Sequence, residues 1–160
     1  MSMIGNYLPV SEEELNSLKE NPESLSEFIY ETKEDDIIDI DKAWHAIHFT
    51  LNGSEWEGLE PYFNVVLGGT PISDEDIGYG PARSLSPSQV KGVAVALEEI
   101  DEKSFRSKFN PKGLKKNDIY PQIWDEGEEL LDYIADNYNE VRETFKDASI
   151  NNQAMILFLC

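Results

Sequence analysis

With 160 residues, the chain is the size of one domain with its own hydrophobic core. Apolar residues make up 40 % of it, Trp44, Trp56 and Trp124 among them, which excludes disorder for the chain as a whole despite its charge. The net charge is −19 and unevenly spread: residues 1–80 hold 18 acidic and 3 basic side chains, whereas residues 81–160 hold 14 and 10. A field of that sign repels nucleic acid and anionic membrane surfaces, and favours basic protein partners, cations or plain solubility. The single cysteine, Cys160, excludes an intrachain disulfide, and no apolar run is long enough to span a bilayer. Met1–Val10 lacks the basic and long apolar regions of a signal peptide, so the cytoplasm is the expected address.

In chain order, Met3–Leu8 reads as a short strand ended by Pro9. Ser11 and Glu14 form a capping box that opens a helix to about Lys19, and Asn21-Pro22 starts a second helix with Leu25, Phe28 and Ile29 on its apolar side. Asp39 or Asp41 is expected to cap a third helix, which Asn52-Gly53 stops. Ser54–Pro61 is irregular, and Phe63–Leu67 is an apolar run of strand length. A long glycine-rich loop then leads to a strand at Ala82–Leu85.

Ser86 and Gln89 form a second capping box, before a helix bearing Val90, Val93, Ala94, Leu97 and Ile100 on one face. Lys103–Lys116 is a basic island without an acid, expected to pair with the acidic first half or to be solvated. A long helix from about Trp124 to Lys146 carries a stripe about 100° wide through Leu130, Leu131, Ile134, Tyr138, Val141 and Phe145, and Asp125 and Glu126 suit its N-terminal dipole. Met155–Leu159 is a last apolar strand. The order is not a strict β–α alternation, so the fold class is α+β: one domain over 1–160, with a small mixed sheet of about four short strands covered by about six helices.

Two patches offer chemistry. At about 100° per residue, Asp41, His45 and His48 share one face of the third helix, with Trp44 beside them. Two imidazoles and a carboxylate suit a metal, general acid–base work, or a structural role in which His48 bonds a backbone carbonyl and Asp41 caps the helix. The histidines are spaced i, i+3 and do not form His-Glu-x-x-His, so no metal is assigned.

The second patch is Gly68, Gly69 and Thr70 with Tyr79 and Arg83, where glycines allow close backbone approach and Arg83 suits a phosphate or carboxylate. It completes neither a P-loop nor a dinucleotide fingerprint, so no cofactor is expected. Trp124 is a core anchor or a cleft wall.

Asp39–Phe49 resembles the signature helix of the YfbM-like bacterial proteins, a family carried as a domain of unknown function. Ile4–Tyr7 resembles that family's opening strand, Val66–Pro71 and Gly78–Arg83 its central loops, and Ile119–Pro121 with Trp124-Asp125 the start of its last helix. The resemblance implies a small α+β bacterial cytosolic protein and carries no activity. It also singles out Asp41, Trp44, His45, His48, Gly69, Tyr79 and Arg83, which are expected to converge in one cleft.

The leading functional expectation is a non-enzymatic acidic module, in one form immunity- or antitoxin-like, that recognises a basic protein and neither nucleic acid nor membrane. The rival is a small-molecule enzyme using the His45/His48 face with Asp41 and Arg83.

Overall fold

The computed structural model describes residues 2–124 and 127–160; Asp125 and Glu126, expected at the start of the last helix, lie outside the described residues. The elements run β1 (Gly5–Val10), α1 (Glu12–Glu20), α2 (Leu25–Glu27), β2 (Ile38–Asp39), α3 (Trp44–Asn52), β3 (Thr70–Asp76), β4 (Pro81–Leu85), α4 (Pro87–Glu98), α5 (Glu102–Lys108), α6 (Pro111–Lys116), α7 (Glu128–Ile150) and β5 (Ala154–Leu159). The short α2 continues as a π-helical turn over Phe28–Thr32. Among the described residues no helix is long and apolar enough to cross a membrane.

The α+β class holds, with two differences in the sheet. It has five strands in the order β2-β1-β5-β4-β3, and every pairing is antiparallel rather than mixed. The last strand lies at its centre, between β1 and β4. Side chains on successive β5 positions enter opposite cores. Met155 and Leu157 join α3, α4 and α7 on one face, while Ala154, Ile156 and Phe158 join α1 and α2 on the other. A strand covered on both faces needs no polar alternation, which is why Ala154–Leu159 is one apolar run.

Two strands, β2 and β3, were not expected, and β3 comes from the segment expected to be a long loop. Thr70–Asp76 and Pro81–Leu85 form a hairpin, turned where Asp76 Oδ1 accepts the Gly78 and Gly80 amides at 2.8 and 3.0 Å. Phe63–Leu67, expected as a strand, is instead a buried 3₁₀ turn over Tyr62–Val65. Its carbonyl at Val65 accepts the Tyr7 hydroxyl, and that at Val66 accepts Arg83 Nη1 at 2.9 Å, so side chains take the place of a ladder.

Both capping boxes form. Glu14 N donates to Ser11 Oγ at 3.0 Å and Ser11 N to Glu14 Oε1 at 2.9 Å, and the Ser86–Gln89 pair repeats the exchange at 3.2 and 2.9 Å. Replacing Ser86 by alanine is therefore expected to cost about 1 kcal/mol and to lower the thermal midpoint by about 3 °C, read by circular dichroism. Neither Asp39 nor Asp41 caps α3. A 3₁₀ turn over Asp41–Ala43 precedes it, Asp39 Oδ1 accepts the Asp41 amide, and Asp41 sits at φ 53°. The stop is as expected, with Gly53 left-handed at φ 69° and its amide on Phe49 O. The long helix begins at Glu128, four residues beyond Trp124.

Candidate functional site

Helix α3 carries three of the candidates, Trp44 in the core and His45 and His48 turned toward the chain that follows the helix. Trp44 is 1 % exposed, and its indole N–H donates to Met3 O at 2.9 Å. His45 and His48 are both buried among the loop residues Gly53–Pro61 and the 119–121 segment.

Each imidazole has both nitrogens engaged. His45 Nε2 lies 2.9 Å from Glu55 O, and His45 Nδ1 lies 2.9 Å from the Tyr120 amide. A carbonyl only accepts and an amide N–H only donates, so His45 is neutral with its proton on Nε2. His48 repeats the pattern: Nε2 donates to Glu57 O at 3.2 Å, and Nδ1 accepts Asn52 Nδ2 at 3.3 Å. Asn52 Nδ2 also reaches His48 O and Tyr62 O, at 3.0 and 3.2 Å. The two rings thus hold alternate carbonyls of one loop. Gly58 completes the fit, since a Cβ there would lie 2.2 Å from Asn52 Oδ1.

Aromatic rings close the arrangement. His45 stacks on Trp44 at 4.9 Å between centroids and faces Trp56 at 4.4 Å, while Tyr120 stacks on the other part of Trp44 at 5.7 Å. Burial holds the His45 imidazolium below its usual range, against the opposing pull of the Glu55 carbonyl. Burial, with His45 as a like-charge neighbour, pushes His48 down from 6.5 to about 4, against the Glu57 carbonyl.

The consequence for stability has a definite sign. Above pH 6.5 the ring is neutral in both the folded and the unfolded chain, and nothing is lost. As pH falls from 6.5 toward about 4, the unfolded chain takes up a proton that the folded one refuses. Stability is expected to decline through that window by on the order of 1–2 kcal/mol, after discounting for solvent screening. Urea midpoints measured across it check this, and His48→Gln should flatten the slope.

The other candidates take different places. Arg83 is half-buried, and its Nη1 donates to Val66 O and Gly68 O at 2.9 and 2.6 Å. Burial lowers the guanidinium from its ordinary range, while Tyr7 pulls the other way. Gly68 and Gly69 serve this close approach. A Cβ on Gly68 would lie 2.1 Å from Asn64 Oδ1, and Gly69 sits at φ 94° with Ser84 O 2.8 Å from any Cβ.

Trp44 and Arg83 line one crevice, but its volume is about 10 Å³, at the lower limit for a single water. The histidines line neither that crevice nor the cleft of about 360 Å³ where Asp41 meets Lys42, Glu129, Leu130 and Tyr133. In that cleft the Tyr133 hydroxyl donates to Asp41 Oδ2 at 2.8 Å and accepts the Lys42 amide at 3.1 Å. Thr70 and Tyr79 lie on the β3–β4 hairpin, with the Tyr79 amide on Leu159 O. Trp124 is a core residue whose indole N–H donates to Ile119 O at 2.7 Å. Among the described residues no three His, Cys, Asp or Glu side chains are placed to hold a metal ion.

Sequence reasoning passed over the loop that the histidines hold. Trp56 is 54 % exposed and Leu59 84 %, each between glutamates in the run Glu55–Glu60. The alternation of acid and apolar side chains in that run was the available signal.

The five-stranded antiparallel sheet with α3 beneath it defines a protein class with no established activity: the chain belongs to the family described as Domain of unknown function (DUF1877), whose model matches residues 1–158. Protein YfbM of Escherichia coli (strain K12) is 30 % identical over 129 residues, covering 77 % of this chain and 75 % of that protein. The fold is that of the crystal structure of the Escherichia coli protein of unknown function YfbM, at a TM-score of 0.76 and 21 % identity, with 98 % of this chain and 99 % of that one aligned.

Proposed function

We propose that this protein is a non-enzymatic acidic binding module that recognises a basic protein partner, in one form as an immunity- or antitoxin-like protein covering a basic toxin surface. The observation that carries the reading is the uncompensated charge of the first half. Residues 1–80 hold 18 acidic against 3 basic side chains. Among the described residues the ion pairs are Lys33 with Glu14 and Asp36, and Arg106 with Glu102 and Asp132.

Within the basic island, Arg106 pairs inside the second half, with Glu102 and Asp132. Carboxylates gather around a groove of about 460 Å³, where Glu13, Glu14 and Glu27 rim Leu18 and Phe28. Ser26 Oγ donates to Glu75 Oε1 at 3.4 Å, which extends the acidic face to β3. Charge of one sign over such a face speeds encounter with a basic partner and makes it sensitive to salt.

The enzyme reading draws less support. General acid–base work needs an imidazole nitrogen free to meet a substrate, and both rings have both nitrogens committed to protein groups. The test is recovery of partners from the source cells at low and at moderate salt, followed by association kinetics with the recovered protein. A basic partner whose association rate falls several-fold with rising salt is the expected result. Recovery of no specific partner under either condition counts against the reading.

A further inference from the structure

We propose that the Gly53–Pro61 loop is the docking element of this module, and that it receives an amphipathic basic segment of the partner protein. Apolar side chains of that segment cover Trp56 and Leu59, while its lysines or arginines meet Glu55, Glu57 and Glu60. The inference rests on the binding-module reading and adds the place and the chemistry of contact.

Three observations carry it. The first is exposure: Trp56 at 54 % and Leu59 at 84 % are large apolar side chains left in water within four residues of each other. Such side chains cost solubility unless a partner covers them, and tryptophan is over-represented among the residues that dominate interfaces.

The second is rigidity. The loop is held at Glu55 O by His45, at Glu57 O by His48 and at the Glu60 carboxylate by Asn64 Nδ2 at 3.0 Å, and just past its end Tyr62 O accepts Asn52 Nδ2. Trp56 leans on His45 and Trp44, at 4.4 and 6.4 Å between ring centroids, so its rotamer is supported from within. Among the described residues its indole N–H has no partner. A loop ordered before contact loses little entropy on binding. The two histidines are then positioning residues for the loop.

The third is charge. Glu55, Glu57 and Glu60 alternate with the apolar pair, so a covering segment must be basic. A second copy of a chain with charge −19, an anionic bilayer or a nucleic acid would be repelled at this surface.

Two labelled probes test this on the full chain: an amphipathic helical Lys/Leu peptide, and a Lys/Ser peptide of equal length and charge. Affinity is read by anisotropy at moderate salt. Trp44 and Trp124 are 1 % and 6 % exposed, so acrylamide quenching of the wild-type protein reports mainly on Trp56. The Lys/Leu peptide is expected to bind more tightly than Lys/Ser and to shield Trp56 from acrylamide. Trp56→Ala and Leu59→Ala should each weaken the Lys/Leu peptide about tenfold or more, and leave Lys/Ser binding unchanged. Leu59 is exposed enough that its variant cannot fail by unfolding.

Lys/Leu binding unaltered in both variants, or unshielded Trp56 in the complex, overturns the docking inference and leaves the basic-partner reading standing. Sedimentation showing self-association through this loop also overturns it. If neither peptide binds, the basic-partner reading falls and the docking inference with it.

Discussion

Replacing Arg83 by methionine is expected to lower the unfolding free energy by about 3 kcal/mol, seen as a shift of the urea midpoint without a change of slope. Methionine keeps the bulk of the stem but leaves the Val66 and Gly68 carbonyls without their donors. Those two groups belong to a segment with no strand neighbour of its own, so nothing nearby can replace the guanidinium. The cost exceeds that of an ordinary hydrogen bond because the donor is charged and half out of water. Lysine at the same position presents one point charge in place of a planar fork, and should recover about half of the loss. The Tyr7 hydroxyl holds the adjoining Val65 carbonyl, so Tyr7→Phe and Arg83→Met act on one turn. Their effects should fall short of additivity, because either change alone loosens the segment that both side chains hold. A loss below about 1 kcal/mol, or full rescue by lysine, would show that the turn is secured by burial of Val65 and Val66 alone.

How far the sequence reveals this architecture depends on the range of the interaction involved. The Ser11 and Ser86 boxes and the Gly53 stop were legible because each is settled within four residues. The stripe of α7 was legible because helical periodicity repeats over six turns. The 62–65 turn and the residues just after it were not, since the side chains that hold their carbonyls, Tyr7 and Arg83, are remote in the chain, and a short apolar run does not distinguish a strand from any other buried segment. Strand β3 was hidden for another reason: it lies at the sheet edge, its register slips between Pro71 and Asp76, and it exposes acids on successive positions, which erases the two-residue alternation. Those exposed acids also keep the free edge from pairing with another chain. For the histidines, spacing on the helix showed that they share a face. It allowed a backbone carbonyl for His48 but could not show which groups the rings hold, because Glu55 O, Glu57 O and the Tyr120 amide are backbone groups, which leave no mark in residue type. The same holds for Trp56, whose exposure is set by the clamp beneath it.

His45→Phe is expected to cost about 3 kcal/mol, although it preserves the ring that stacks between Trp44 and Trp56. The loss comes from two backbone groups at once. The Glu55 carbonyl loses its donor and the Tyr120 amide its acceptor, and both lie where water enters poorly. Two further variants separate these contributions. Glutamine carries an N–H donor near the position of Nε2 and should restore the Glu55 bond, and asparagine carries an oxygen near the position of Nδ1 and should restore the Tyr120 bond. Each is expected to recover about half of the loss, read by urea unfolding. Trp56 supplies an independent reading, since His45 is the ring packed against it. Its emission should shift to longer wavelength in the phenylalanine and asparagine variants, where the Glu55 bond is lost, and stay near wild type with glutamine. A phenylalanine variant as stable as wild type, with the glutamine and asparagine variants both weaker, would mean that stacking on Trp44, and not the pair of backbone bonds, holds the loop to the helix.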